Sequence, residues 1–163
     1  MNLLKVWRAT LVRHWPKNAD LYDSGDLQHG HAGRMGVMAL ALWPAEPDLA
    51  CACMMHDMGE GGDGPGDVCG GWKARHPERA KLVAEWEAEA YAELGLPTFK
   101  KDPRVHLLDR LDRYLWVALK APHLTATDEW RQARRDIHAL TMPLDTTSRD
   151  AICDAILEAT HHA

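Results

Sequence analysis

Apolar residues in this chain recur at intervals of three and four. Nowhere do they alternate with polar residues over the length of a half-buried strand. Each segment therefore carries one apolar stripe that has to be buried against other stripes, which confines the chain to helix-on-helix packing. Proline, glycine and capping residues set the boundaries. The spacing predicts a helix over residues 2–14, ended by Pro16, and a second over 31–43, stopping before Pro44. A third opens at Glu46-Pro47-Asp48 and ends near His56-Asp57, and a fourth runs from His76-Pro77-Glu78 to Leu94, with Gly95 as its stop. Asp102-Pro103 opens a helix to Lys120, and two more cover 126–140 and 147–160, where Thr147 and Asp150 have capping-box spacing. Seven of the twelve glycines lie between residues 59 and 71, a density that ends helix and predicts a flexible or closely approached loop. The expected fold is all-α: one domain over residues 1–163, a bundle of about six or seven helices.

The formal net charge is -5, and no run of Lys or Arg forms a basic stripe. A nucleic-acid polymer is thus not an expected partner, because phosphate neutralisation supplies most of that affinity. A small anion remains compatible with a few local cations and a metal. Met1 to Trp15 is interrupted by Lys5, Arg8 and Arg13, so neither a signal peptide nor a membrane span is expected there. Its apolar residues, Leu3, Leu4, Trp7, Leu11 and Val12, have helical spacing instead. Cys51 and Cys53 alternate within a helical stretch, and Cys69 and Cys153 lie far away, which reads as reduced thiols in the cytoplasm.

His31 shares a helix face with Met35, Met38 and Leu42, where a core histidine held by a hydrogen bond is the ordinary reading, and His29 is a nearby rival. His56-Asp57 stands at a helix end before the glycine-rich loop. Asp109 and Asp112 fall in or beside the stripe of Val105, Leu108, Leu115 and Leu119, so each needs a cationic partner, either Arg110 or Arg113 or a metal. His31, His56, Asp57 and one of those aspartates make a plausible divalent-metal set of imidazoles and carboxylates with positions open for water and substrate. Histidine ligands suit Zn, Co, Mn or Fe better than Mg. An ion so held acidifies a water and neutralises phosphate charge, which points to hydrolysis. A structural zinc at Cys51, Cys53, His56 and Cys69 is disfavoured, because Cys51 and Cys53 project to nearly opposite helix faces.

The order His, His-Asp, Asp on separate helices resembles the HD-domain phosphohydrolase superfamily, over about residues 8 to 120. Further segments resemble its bacterial 5'-deoxynucleotidases. Arg13-His14-Trp15-Pro16 is similar to their Arg-Trp-Pro, with His14 inserted, and His56-Asp57-Met58-Gly59-Glu60 is similar to their His-Asp-x-x-Glu. Gly66-Asp67, with Lys73 six residues after the aspartate, has their Gly-Asp-to-Lys spacing. Asp109-Arg110-Leu111-Asp112-Arg113-Tyr114-Leu115 is similar to their last motif and selects Asp109 over Asp112 as ligand. Size and local wording resemble still more the short phage dATP triphosphohydrolases of viruses that replace adenine with 2-aminoadenine.

The resemblance implies an HD-type bundle in which His31, His56, Asp57 and Asp109 hold the metal. Glu60 would take a proton from water or orient it, and Asp67 would serve beside the metal or hold a second divalent ion such as Mg. Arg13 and Lys73 would contact phosphate, and Trp15 would stack on the base or press on the 2'-carbon. Trp7, Trp86, Trp116 and Trp130 read as packing residues. The implied substrate is dATP, in a host cytoplasm and in a homo-oligomer. A 5'-deoxynucleotidase acting on dNMPs and a nucleotide-binding regulator with a slow metal site are the alternatives. Ile137, Leu140, Ile152, Ile156 and Leu157 are available for a core or an interface.

Overall fold

A computed structural model of the protein describes residues 2–16, 18–68 and 70–161. The described residues form α1 (Leu3–Ala9), α2 (Gln28–Leu42), α3 (Pro47–Met55), α4 (Gly70–Arg75), α5 (Pro77–Leu94), α6 (Pro103–Lys120), α7 (Asp128–Thr141) and α8 (Thr146–His161), and no strand. Short 3-10 turns, Met58–Glu60 and Pro122–Ala126, follow α3 and α6. The all-α expectation holds, with the short α4 added inside a stretch where the glycines predict loop.

The main core is built where α2, α3, α6, α7 and α8 face one another. Met35, Leu49, Leu108, Tyr114, Val117, Ile137 and Ile152 are buried in it, with Trp130 beside them. A smaller cluster, Ala9, Met58 and Leu94, joins α1, the first 3-10 turn and α5. His56 and Asp57 connect α3, in the first cluster, to Met58, in the second.

Two boundaries depart from the periodicity. The first helix stops at Ala9 instead of running to residue 14. Residues 10–14 serve the start of α2 instead: the carbonyls of Val12 and Thr10 accept the amides of Gln28 (2.8 Å) and His29 (3.1 Å), and the His14 amide donates to Asp26 O (3.1 Å). The Gln28 and His29 amides are first-turn donors that no intrahelical carbonyl can satisfy, and the N-cap Leu27 has no side-chain acceptor. The same turn leaves Leu3, Leu4, Trp7 and Leu11 exposed, so the apolar stripe read over 3–12 is not buried. Trp86 is also exposed, with its indole donating to Asp63 O (2.8 Å), so neither it nor Trp7 is core packing. At the last helix Asp145, not Thr147, is the cap: its carboxylate accepts from the Ser148 amide (2.9 Å) and hydroxyl (2.7 Å).

The α6 cap is as the sequence predicts, with Asp102 accepting from the Arg104 amide at 2.9 Å. Arg104 also pairs with Glu46 (2.6 Å) and lies over the Trp43 ring, which ties the starts of α3 and α6 together. The glycine-rich loop is closely approached. A Cβ on Gly59 would collide with the Glu87 carbonyl of α5, and one on Gly61 with the backbone of Ala9. That double contact holds Glu60, between them, inside the protein with 6% of its surface exposed. Of the C-terminal apolar residues, Ile137, Ile152 and Ile156 enter the core and Leu157 is exposed.

Candidate metal centre

Four side chains from three elements converge. His31 stands in the first turns of α2, His56 and Asp57 directly after α3, and Asp109 midway along α6. One ligand atom from each lies within 4.8 Å of the others, a group able to hold a metal ion. His31 Nε2 is 3.3 Å from Asp109 Oδ1 and 3.9 Å from Asp57 Oδ2, and His56 Nε2 is 2.9 Å from Asp57 Oδ2.

The far side of each imidazole fixes its tautomer. His31 Nδ1 donates to Asp112 Oδ2 at 2.7 Å, and His56 Nδ1 donates to the Cys53 carbonyl at 2.8 Å. Both Nε2 lone pairs therefore face the cluster, the arrangement that metal-binding histidines need. Asp112 is held in turn by Arg34, through Nε (2.7 Å) and Nη2 (2.8 Å). Arg34 also reaches Asp26 (2.9 Å), which accepts the Trp15 indole N–H at 3.1 Å. Asp109 and Asp112 thus occupy opposite ends of the His31 ring. The arginines divide as well: Arg113 pairs with Asp109 (3.1 Å), while Arg110 pairs with Asp136 (3.4 Å).

The residues present fit a divalent ion. His31 Nε2, His56 Nε2 and Asp109 Oδ1 are buried polar atoms whose ionic contacts with one another, Asp57 and Arg113 include no aligned hydrogen bond. Buried polar atoms are otherwise nearly always satisfied, so three orphans facing one point call for a shared partner. Two nitrogens and two carboxylates are the donor set of Zn, Mn, Co or Fe. Burial lowers the His31 pKa, but Asp109 and Asp112 outweigh it and raise it to about 9. Burial likewise opposes the charged form of Asp109, and His31, Arg113 and His56 hold its pKa below the ordinary carboxylate range. Without a metal, protons and Arg113 hold together what a dication would hold.

Glu60 adjoins this group, because its carboxylate clusters with His14 and Asp57. Burial, then the charges of Asp57, Asp67 and Glu87, push its pKa up to about 9, against the pull of Lys73. Asp67 Oδ2 accepts the Trp15 amide (3.2 Å), and its Oδ1 stands 3.9 Å from Arg113. Trp15 sits in the left-handed region at φ 64°, packs against Trp130 and is partly buried against the main core. Lys73 pairs with Glu87 at 2.8 Å. Arg13 donates to the Tyr22 carbonyl (2.9 Å) and lies over the Tyr22 ring, so its contacts are with the loop after Pro16. His29 is exposed and meets the Thr10 carbonyl, outside the metal group. Cys51 and Cys53 are free thiols, and Cys53 is buried with its pKa raised to about 11 by that burial. Cys69 lies outside the described residues.

Several residues of the site carry no motif. A cavity of about 570 Å³ opens on His56, Asp57 and Asp109, and Tyr91, Lys100, Lys101 and His106 also line it. A second of about 430 Å³ runs from His56 and Asp57 along Glu60, Glu87 and Tyr91. The Lys100-Lys101 pair next to the Asp102 cap was the available signal, since a helix start at Asp102 places both lysines on a connection. His14 has no such signal. It is buried, with its ring 4.6 Å from that of His31.

Among the described residues no helix is long and apolar enough to cross a membrane. No protein-family model, curated protein or solved structure matches this chain.

Proposed function

We propose that this chain is a metal-dependent phosphohydrolase of the HD type that acts on deoxynucleotides, dATP before others. One observation carries the reading: the orphaned ligand atoms of His31, His56 and Asp109 meet Asp57 beside a buried glutamate and an open cavity. A dication held there would supply an acidified water and neutralise charge on the phosphate. In its carboxylate form, which a neighbouring dication would favour, Glu60 would accept a proton from the attacking water. Arg113 and Lys73 add positive charge around the carboxylates, and Lys100 and Lys101 offer cations at the cavity for a polyphosphate tail. Trp15 is read as limiting the sugar by shape, and the site as working in a host cytoplasm within a homo-oligomer.

The test is metal content of the purified chain, followed by product analysis on a panel of ribo- and deoxynucleotides. The expected result is bound transition metal and loss of dATP, with turnover abolished in His56→Ala and Asp57→Ala while the helical circular-dichroism spectrum persists. Release of phosphate from dAMP with dATP untouched would make it a 5'-deoxynucleotidase. Bound metal with no turnover of any nucleotide would make it a binding protein.

A further inference from the structure

Among the described residues Trp15 is the one non-glycine in the left-handed region, at φ 64°. A bulky side chain stays there only where its surroundings hold it. Two carboxylates do so. The Trp15 amide donates to Asp67 Oδ2 (3.2 Å), and its indole N–H donates to Asp26 Oδ2 (3.1 Å). Each acceptor leads to a metal ligand. Asp26 is buried, and its other oxygen accepts Arg34 Nη2 (2.9 Å), which also donates to Asp112 Oδ2 (2.8 Å) behind His31. Asp67 Oδ1 faces Arg113 (3.9 Å), the partner of Asp109 (3.1 Å). Gly30 leaves room for the first link, since a Cβ there would stand 3.3 Å from Arg34 Nη1 and 3.7 Å from Asp26 Oδ1.

We propose that Trp15 is a positioning residue for the metal centre: through Asp26, Arg34 and Asp112 it keeps the His31 Nε2 lone pair turned to the ion, before any nucleotide is present. This role rests on the four-ligand centre of the proposed function and is separate from contact with a sugar. The physical reason is a shared guanidinium. Asp26 divides its oxygens between the indole and Arg34, and one Arg34 nitrogen serves both Asp26 and Asp112. Without the indole N–H, the freed Asp26 oxygen turns to Arg34 and competes with Asp112 for it. Asp112 then loses part of the clamp that aims its Oδ2 at His31 Nδ1. Coupling of this kind is reciprocal, so an ion held at His31 firms the placement of Trp15 in turn.

The test is Zn2+ affinity of the chelator-treated full chain, by competition against a chromogenic chelator with no nucleotide present, so that sugar contact has no part in it. Trp15→Phe keeps an aromatic ring against Trp130 and drops the indole N–H. Asp26→Asn keeps the indole and leaves one oxygen for two donors. Each should bind Zn2+ about threefold to tenfold more weakly, a smaller loss than for Asp112→Asn because His31 is touched only through Asp112. In an Asp112→Asn background Trp15→Phe should have no further effect, because the link is already cut. Thermal unfolding shows which variants fold, and a Trp15→Phe chain that does not fold leaves Asp26→Asn to decide. A lower Tm with wild-type Zn2+ affinity, or an equal loss in the Asp112→Asn background, overturns the positioning role and leaves the metal centre standing. A wild type that binds no Zn2+ overturns both.

Discussion

Asp112→Asn is the substitution that most directly probes how the fold prepares its metal ligands. Asp112 accepts from His31 Nδ1 (2.7 Å), Arg34 Nε (2.7 Å) and Arg34 Nη2 (2.8 Å), and 3% of its surface is exposed. An asparagine there has one oxygen and an NH2, so it cannot accept all three of these bonds, and in either orientation the carboxylate charge behind the imidazole is lost. With the oxygen on Arg34 Nε, the NH2 faces His31 Nδ1 and favours the tautomer that accepts there and carries its proton on Nε2. That proton occupies the lone pair the metal needs. Loss of such a supporting partner weakens metal binding about 10–100-fold, or roughly 1.4–2.8 kcal/mol at ~1.4 kcal/mol per decade. The measurement is Zn2+ affinity by competition against a chromogenic chelator, with circular dichroism as the check on folding. Asp112→Asn with wild-type affinity would refute the reasoning, because tautomer control by the far nitrogen would then be irrelevant to this site.

Gly59→Ala drives a methyl into the Glu87 carbonyl and within 3.3 Å of the Tyr91 Cβ, and should cost about 1–3 kcal/mol, visible as a lower Tm; an unchanged Tm would show that the loop can move off α5. The His31 pKa is raised in the fold from 6.5 to about 9, so its contribution to the stability of the metal-free chain is fully present below 6.5 and lost as pH rises through about 9. Metal affinity should move oppositely over that window, rising as the proton leaves Nε2, and denaturant titrations with and without Zn2+ read both trends. Lys100→Ala combined with Lys101→Ala should raise KM for dATP roughly tenfold and leave that for dAMP nearer the wild type; equal effects on both substrates would remove the lysines from the polyphosphate.

The sequence was most legible where a local rule decides the outcome. Pro47, Pro77 and Pro103 each stand first in a helix, Asp102 caps α6, and Gly95 stops α5 with a left-handed φ of 65°, all as composition and spacing predict. The boundaries that failed are those where backbone groups answer to distant backbone. Nothing in residues 10–14 says that their carbonyls will cap α2, since apolar spacing continues across them. Trp7 and Leu11 kept the periodicity of a buried face without a partner helix to bury them.

The order of residue types by itself determined an all-helical chain and nominated His31, His56, Asp57 and one of the aspartates of α6, because helix periodicity and ligand chemistry are written one residue at a time. Asp109 and Asp112, three residues apart on one face of α6, could not be told apart by period alone. Packing of α2 against α6 separated them, placing Asp109 at His31 Nε2 and Asp112 at Nδ1. It also brought His14 beside His31 and opened a cavity against Lys100 and Lys101. Such convergences depend on crossing helices and on which carbonyls a loop lends its neighbours, and those are properties of the assembled fold.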